Sequence, residues 1–373
     1  NSPSMNQYPS PSFDTDQEKV LDSIRPGKII IPTLIGLTVV IFLVRRQLNL
    51  EEVFEINWNA WSYLWILIAI FVYCGRHLLY SLRLRLLSEG DFSWGKSIEL
   101  TTILEFASAV SPTNFGGSAV AFFLLIQENI AAARATAIVI YTIIADTLFF
   151  VFTLPILWLI FGSEMFVPPV EDINEWDSLG ITLFAAWALM AIYGVLLLYG
   201  LFVEPKHLKR LLRWFASWKI LRKSKDRILG AADDIEVSSL RIQAMPKRFH
   251  FSIAGITLLA WIFRFFAVTA ILIALNTDIV LQLYDHLVLL GRGEGLYAVT
   301  AYSPTPGGSG VAEIIFGQFY KEYVTPGIAV VAAVLWRVIT YYPYLILGVI
   351  IIPNWIRKLI NKRRVNKENK SHD

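Results

Sequence analysis

The sequence predicts an all-α integral membrane protein with six spanning helices, two re-entrant helical hairpins and an inverted-topology repeat. Three observations predict it. Of 373 residues, 55% are hydrophobic and 14% aromatic, with a mean hydropathy of +0.53, outside the range of an ordinary soluble domain. The charges fall very unevenly among the connections between apolar stretches. A helix-breaking motif also occurs twice. Ser111-Pro112-Thr113-Asn114-Phe115-Gly116-Gly117-Ser118-Ala119-Val120-Ala121 returns, one residue shorter, as Ser303-Pro304-Thr305-Pro306-Gly307-Gly308-Ser309-Gly310-Val311-Ala312. Irregular backbone at membrane depth is tolerated only where protein or a wet cavity satisfies it, and paired interruptions mark transporter binding sites.

Taken in order, residues 1–27 are rich in Ser, Pro and Asp without an apolar core, which predicts a disordered polar tail rather than a signal peptide. Apolar stretches at 28–46, 61–82, 97–127, 133–162, 180–203, 250–275, 286–320 and 327–353 are long enough to enter or cross a bilayer. The single Cys74 lies in an apolar run and reads as structural. The connection 204–249 carries twelve Lys or Arg against five acids, and the basic tail 354–373 seven against two. Both are expected to be cytoplasmic. Segments 47–60 and 163–179 hold three and five acids with no Lys or Arg, and are expected outside.

These sides conflict if 97–127 crosses the membrane, because Arg83, Arg85 and Lys96 would then face away from Arg134. A dip from the cytoplasm that turns at Ser111–Gly117 removes the conflict, and 286–320 becomes a dip from outside. A limb over 97–110 would be roughly 21 Å long, too short for a ~30 Å core. The membrane domain 28–353 then holds repeat one at 61–162 and repeat two at 250–353, running in opposite senses. Aligned on Gly-Gly-Ser, Ser118 to Asp146 and Ser309 to Arg337 are both 28 residues, so Asp146 and Arg337 share a repeat position with opposite charge. If they pair across the pseudo-two-fold axis, their substitutions should be non-additive. Within 204–249, Leu208, Leu211, Leu212, Phe215, Trp218 and Leu221 at helical spacing predict a basic amphipathic helix that attracts anionic inner-leaflet lipids.

Arg76 and Arg264 lie in apolar helices equivalent in the repeat, with Asp146 and Arg337 joining them. An unpaired mid-membrane charge costs at least ~2.5–3.5 kcal/mol, so such residues face a cavity, touch substrate or pair structurally. In each dip, Ser111 and Thr113 or Ser303 and Thr305 precede the glycines. Gly116, Gly117, Gly307 and Gly308 allow close backbone approach, and a following helix N-terminus suits a phosphate. Glu313 stands where the first copy has Phe122, and answers a cationic headgroup, relays a proton or pairs with an Arg. Glu105, Arg292 and Glu294 read as cavity-lining or interfacial, and His77 as a hydrogen-bonded bundle residue. No nucleotide-binding, metalloprotease or nucleophile-elbow motif is present.

The stretch Ser303 to Glu313, with Leu335-Trp336-Arg337-Val338-Ile339-Thr340-Tyr341-Tyr342 after it, resembles the lysylphosphatidylglycerol synthase transmembrane-domain family, a flippase-like membrane domain. The resemblance covers about residues 30–352. Asp146 looks like the acid that follows the first motif in that family. The first motif departs from the family's Gly-Glu and Arg, having Gly117-Ser118 and Phe122 to Leu124. What the resemblance implies is the stand-alone translocating half, without the aminoacyl transferase domain of bifunctional relatives, and a polar-headgroup lipid or lipid-linked intermediate as cargo.

The expected function is transbilayer translocation of an anionic or polar-headgroup lipid in a bacterial inner (plasma) membrane. The phosphate would be held at the hairpin tips and by Arg76, Arg264 and Arg337, with Asp146 and Glu313 balancing charge. Three rivals are an intramembrane enzyme transferring a group onto a lipid, a small-anion transporter, and a non-transporting partner of a lipid-modifying enzyme. No cofactor, metal or nucleic acid is expected. A lipid-modifying enzyme partner and a homo-oligomer stay open.

Overall fold

The computed structural model of this chain describes residues 54, 56–111, 114–162, 173–204, 206, 210, 214, 239–276, 279, 281–301, 303, 305–308 and 310–370. The proposed first span 28–46, the tail 1–27 and the apolar face of the basic amphipathic segment lie outside those residues. Among the described residues the fold is all-helical, with no strand.

Helix α1 (Ala60–Leu87) starts where Asn59 Oδ1 accepts the Ser62 N–H at 3.1 Å, and stops at a turn whose Glu89 and Gly90 have φ of 54° and 84°. Ser93 caps α2 (Trp94–Val110), which breaks before α3 (Asn114–Gln127). Then follow α4 (Ala132–Phe161), α5 (Ile173–Phe202) and α6 (Lys247–Leu275). Next come α7 (Leu283–Ala301), a single 3-10 turn at Pro306–Gly308, α8 (Val311–Tyr320), α9 (Pro326–Thr340) and α10 (Tyr342–Lys370). Among the described residues five stretches are long and apolar enough to span a bilayer: Ala60–Leu87, Arg134–Phe161, Phe184–Phe202, Lys247–Leu275 and Pro326–Leu359. Their outward faces carry exposed large apolar residues, among them Leu67, Phe71, Leu159, Phe184 and Ile346. In water such a surface would be a liability, whereas hydrocarbon solvates it.

Three boundaries differ from the sequence expectations. The segment 327–353 is not one continuous helix, because the chain breaks at Tyr341 between α9 and α10. Helix α10 runs on through Pro353 into the basic stretch as far as Lys370. Helix α5 begins at Ile173, inside the segment read as an acidic loop.

The principal packing joins α1 to α6. Gly75 makes this contact close, since a Cβ there would sit 2.8 Å from Phe263 Cε2. One core cluster gathers Ala69, Val72 and Tyr73 of α1 with residues 267–275 of α6, Leu289 and Leu296 of α7, Phe316 of α8 and Ala332 of α9. A second joins the end of α1 to α2, α3, α4 and Leu201 of α5. Helix α10 covers α2 through Leu345, Ile352 and Trp355, and Gly348 lies where a Cβ would meet Phe106 at 2.1 Å.

Helices α2 and α3 form one hairpin, α7 and α8 another. Lys96, near the start of α2, pairs with Glu128, just past α3, at 2.6 Å. Trp355 Nε1 donates to the same carboxylate at 2.7 Å. Asn276, at the end of α6, donates to the Tyr323 carbonyl at 3.0 Å, bringing together the two ends of the second hairpin. The tips meet: the Gly307 N–H points at the Ser111 carbonyl at 3.4 Å, and the Tyr341 hydroxyl donates to the Ala109 carbonyl at 3.0 Å. The two motif copies nevertheless differ in conformation. Gly116 and Gly117 lie in the first turn of α3, whereas Gly307, Gly308 and Gly310 have φ of 57°, 69° and 87°.

Candidate functional site

The tips close one end of a cavity of about 430 Å³ walled by α1 to α9 and the start of α10. That volume suits a small ligand or a lipid headgroup. Of the residues singled out from sequence, Arg76, Ser111, Gly117, Asp146, Arg264, Ser303, Thr305, Gly307, Gly308 and Arg337 line it. Gly116 falls in α3, and Thr113 is outside the described residues. Glu313 stands behind Arg337, away from the lining.

Helix α1 supplies the first wall, with Tyr73, Arg76, Tyr80 and Arg83 spaced i, i+3, i+7 and i+10 on one face. Arg76 pairs with Glu105 of α2 at 2.9 Å and touches the Tyr73 and Tyr344 hydroxyls at 3.3 and 3.4 Å. Tyr80 lies between the two guanidiniums, each 4.4 Å from its ring centroid. Arg83 grips Asp146 of α4 with both terminal nitrogens, at 2.6 and 3.0 Å, and reaches Thr257 at 3.1 Å. Trp261 Nε1 completes the Asp146 shell at 3.0 Å.

These pairs correct two expectations. Asp146 and Arg337 do not bridge the repeats, because each finds its counter-charge elsewhere: Asp146 in Arg83, Arg337 in Glu313. Arg83, expected among the cytoplasmic charges, is buried against the cavity. The i, i+3, i+7, i+10 register of two Tyr and two Arg is the signal that could have found it.

At the tip, Arg337 Nε meets Glu313 Oε1 at 2.8 Å and its Nη1 donates to the Gly307 carbonyl at 3.1 Å. The other Glu313 oxygen accepts the Gly310 N–H at 2.7 Å. The N-terminus of α8 is therefore occupied by the protein's own carboxylate, not left open for a phosphate. Ser303 and Thr305 hydroxyls bond each other at 2.8 Å and fix the turn.

Arg264 differs from the other three arginines. It lies over the Trp261 and Tyr297 rings, 5.3 and 5.0 Å from their centroids, and among the described residues forms no ion pair, feeling Glu105 only at longer range while that carboxylate is bonded to Arg76. Four guanidiniums line the cavity against Glu105, Asp146 and, behind Arg337, Glu313. One positive charge is left over, on Arg264.

Of the other ionisable residues, Glu105 lines the cavity, while Arg292 is tied to Glu322 at 2.5 Å and to the Phe319 carbonyl at 3.1 Å. Glu294 is buried outside the lining. His77 bonds Tyr344 and Thr102 at 3.1 and 3.4 Å, as a bundle residue would.

Residues 29–348 match the family described as the lysylphosphatidylglycerol synthase TM region. The chain belongs to that family. A relative described as a UPF0104 membrane protein, from Archaeoglobus fulgidus, is 24% identical over 329 residues, covering 85% of this chain and 93% of the relative. No solved structure matches. The family places this chain among multi-pass membrane proteins, consistent with its five candidate spans.

Proposed function

We propose that this family member translocates a lipid bearing an anionic headgroup between leaflets, with the headgroup in the cavity and the tails in the surrounding hydrocarbon. The unpaired Arg264 carries this reading. A guanidinium in a cavity at membrane depth needs a counter-ion, and the protein supplies carboxylates for the other three cavity arginines but not for this one. A phosphate oxygen pair matches its fork, and Ser111 and Ser118 add hydroxyls nearby in the lining. Among the described residues Tyr344 of the lining meets His77 at 3.1 Å, but its hydroxyl is also held by Arg76, which favours binding and movement over group transfer.

Tested in liposomes, the purified protein is expected to speed leaflet exchange of a fluorescent anionic phospholipid. Arg264→Gln should lower the exchange rate at least tenfold while leaving thermal stability near wild type, because no partner charge is stranded. Equal rates for Arg264→Gln and wild type would sink the assignment of Arg264. Entry of radiolabelled phosphate with no lipid exchange would point instead to a small soluble anion.

The hairpins are read as re-entrant, the first from the cytoplasm and the second from outside. The two ends of the first hairpin lie side by side, the chain leaving α8 returns to Arg292 of α7 and to Asn276 at the end of α6, and α8, at ten residues or about 15 Å, is far too short to cross. With 28–46 as a further span, the chain crosses six times. Asn129 and Lys321 are exposed at the ends of the two hairpins. In a Cys74→Ser background, Asn129→Cys should react with an impermeant maleimide only after the cells are opened, and Lys321→Cys in intact cells. Reaction of position 129 from outside would break the topology.

A further inference from the structure

A carboxyl group sits in the wall behind the cavity with no role so far. Glu294 of α7 is 0% exposed, and no Arg, Lys or His pairs with it among the described residues. Its Oε2 lies 2.8 Å from the Thr153 hydroxyl of α4, while Oε1 is buried with no hydrogen-bond partner. The Thr153 oxygen also lies 2.7 Å from the Phe149 carbonyl. A hydroxyl has one hydrogen and a backbone carbonyl can only accept. Thr153 can therefore serve only one of the two acceptors at a time, and a proton on Glu294, donated to Thr153, lets both contacts be made together. A bare carboxylate here would have one shared hydroxyl and no counter-charge, the costliest form of buried charge.

The titratable groups on the elements packed against α7 are engaged elsewhere. Asp146 of α4 is held by Arg83, Tyr193 of α5 lines the cavity, and Glu313 of α8 is held by Arg337. Tyr320 of α8 packs on Phe316. On α7 itself, Arg292 turns to Glu322 and Tyr297 lies under Arg264. The exception is Arg264, on the neighbouring α6. Glu294, buried behind the lining, and Arg264, within it, thus lie on neighbouring helices, and neither is in an ion pair among the described residues. Between them α7 packs closely on α6: Gly291, Gly293 and Gly295 alternate with Arg292 and Glu294, and a Cβ at Gly293 would lie 2.7 Å from the Phe265 ring beside Arg264.

We propose that Glu294 is a proton-binding site that couples lipid translocation to a proton gradient, resting on the translocation reading above. With an anionic headgroup on Arg264, Glu294 stays protonated. When the headgroup leaves, the Glu294 O–H bond breaks, the proton goes to water, and the carboxylate takes Arg264 as its counter-ion. Proton and headgroup then bind and leave together.

The test uses the full chain in liposomes with a labelled anionic phospholipid, a pH difference of one unit and the membrane potential clamped by potassium and valinomycin. One proton per lipid should shift the steady-state leaflet ratio by up to about tenfold in wild type. Glu294→Gln should abolish the response to the gradient, and Thr153→Val should weaken it. Infrared difference spectra should show a protonated-carboxyl band at neutral pH that is missing in Glu294→Gln. Wild-type exchange that ignores the gradient would overturn the coupling and leave translocation standing. Absence of exchange in wild type would overturn both. A Glu294→Gln protein that folds, exchanges lipid and still responds to the gradient would also overturn the coupling, as would an unchanged infrared band if that variant exchanges poorly.

Discussion

Arg337→Gln is expected to cost about 3–5 kcal/mol of stability, the range for removing one partner of a buried ion pair. Its partner Glu313 has a side chain only 7% exposed, and that of Arg337 is 6% exposed, so neither charge can turn to water. Without the guanidinium, Glu313 keeps only the Gly310 N–H, and the Gly307 carbonyl loses its donor. Adding Glu313→Gln should recover much of the loss, because two amides carry no stranded charge. Thermal unfolding of detergent-purified single and double variants measures this coupling. The Arg83 and Asp146 pair should couple in the same way but more weakly, since Asp146 is 27% exposed and the cavity solvates it. Asp146→Asn combined with Arg337→Gln should instead be additive within about 0.5 kcal/mol, as for sites without a shared partner. Strong coupling between those two would mean that the pairs exchange partners in solution.

Gly307→Val is expected to abolish lipid exchange and to lower the yield of folded protein. At φ 57° a side chain costs roughly 1–2 kcal/mol, and a β-branched one more. The added Cβ would also lie 2.4 Å from Tyr341 Cε2 and 3.0 Å from the Ala109 carbonyl, where the two hairpin tips touch. Relief must come from moving Tyr341, which gives up its 3.0 Å bond to Ala109 and opens the junction. Gly308→Ala provides the control. Its φ of 69° is similarly strained, but the nearest foreign atom would be 3.5 Å away. It should lose about 1 kcal/mol and keep most of the exchange activity. Equal losses in the two variants would show that backbone strain alone, and not the tip contact, sets the effect.

Much of this architecture was legible because it is imposed by the solvent. Hydrocarbon demands long apolar helices, and the five spans fall where the apolar runs fall. The duplicated motif marked both breaks through its repetition, not through Pro or Gly alone, since Pro155 and Pro353 lie within α4 and α10 and Gly116 and Gly117 within α3. The cavity-lining Arg76, Arg264 and Arg337 were visible for the same reason: a charge inside an apolar run must have a purpose.

What the sequence could not determine is which charge meets which. Repeat alignment put Asp146 opposite Arg337, yet symmetry-related positions are equivalent without being adjacent. Their partners came from Arg83, 63 residues from Asp146, and Glu313, 24 residues from Arg337. Arg83 read as a flanking cytoplasmic charge because loop-charge arguments count residues and cannot see which face of α1 they occupy. The similar Gly pairs also diverged: packing against Ser108 holds Gly117 helical, while the Tyr341 contact and the Glu313 cap leave Gly307 and Gly308 left-handed. The sequence by itself determined that this is a helical membrane protein with two breaks and isolated buried charges. Only the tertiary structure decided that three of the four cavity arginines are neutralised by carboxylates and that Arg264 is not, because ion pairing depends on distances of a few ångströms between helices far apart in the chain.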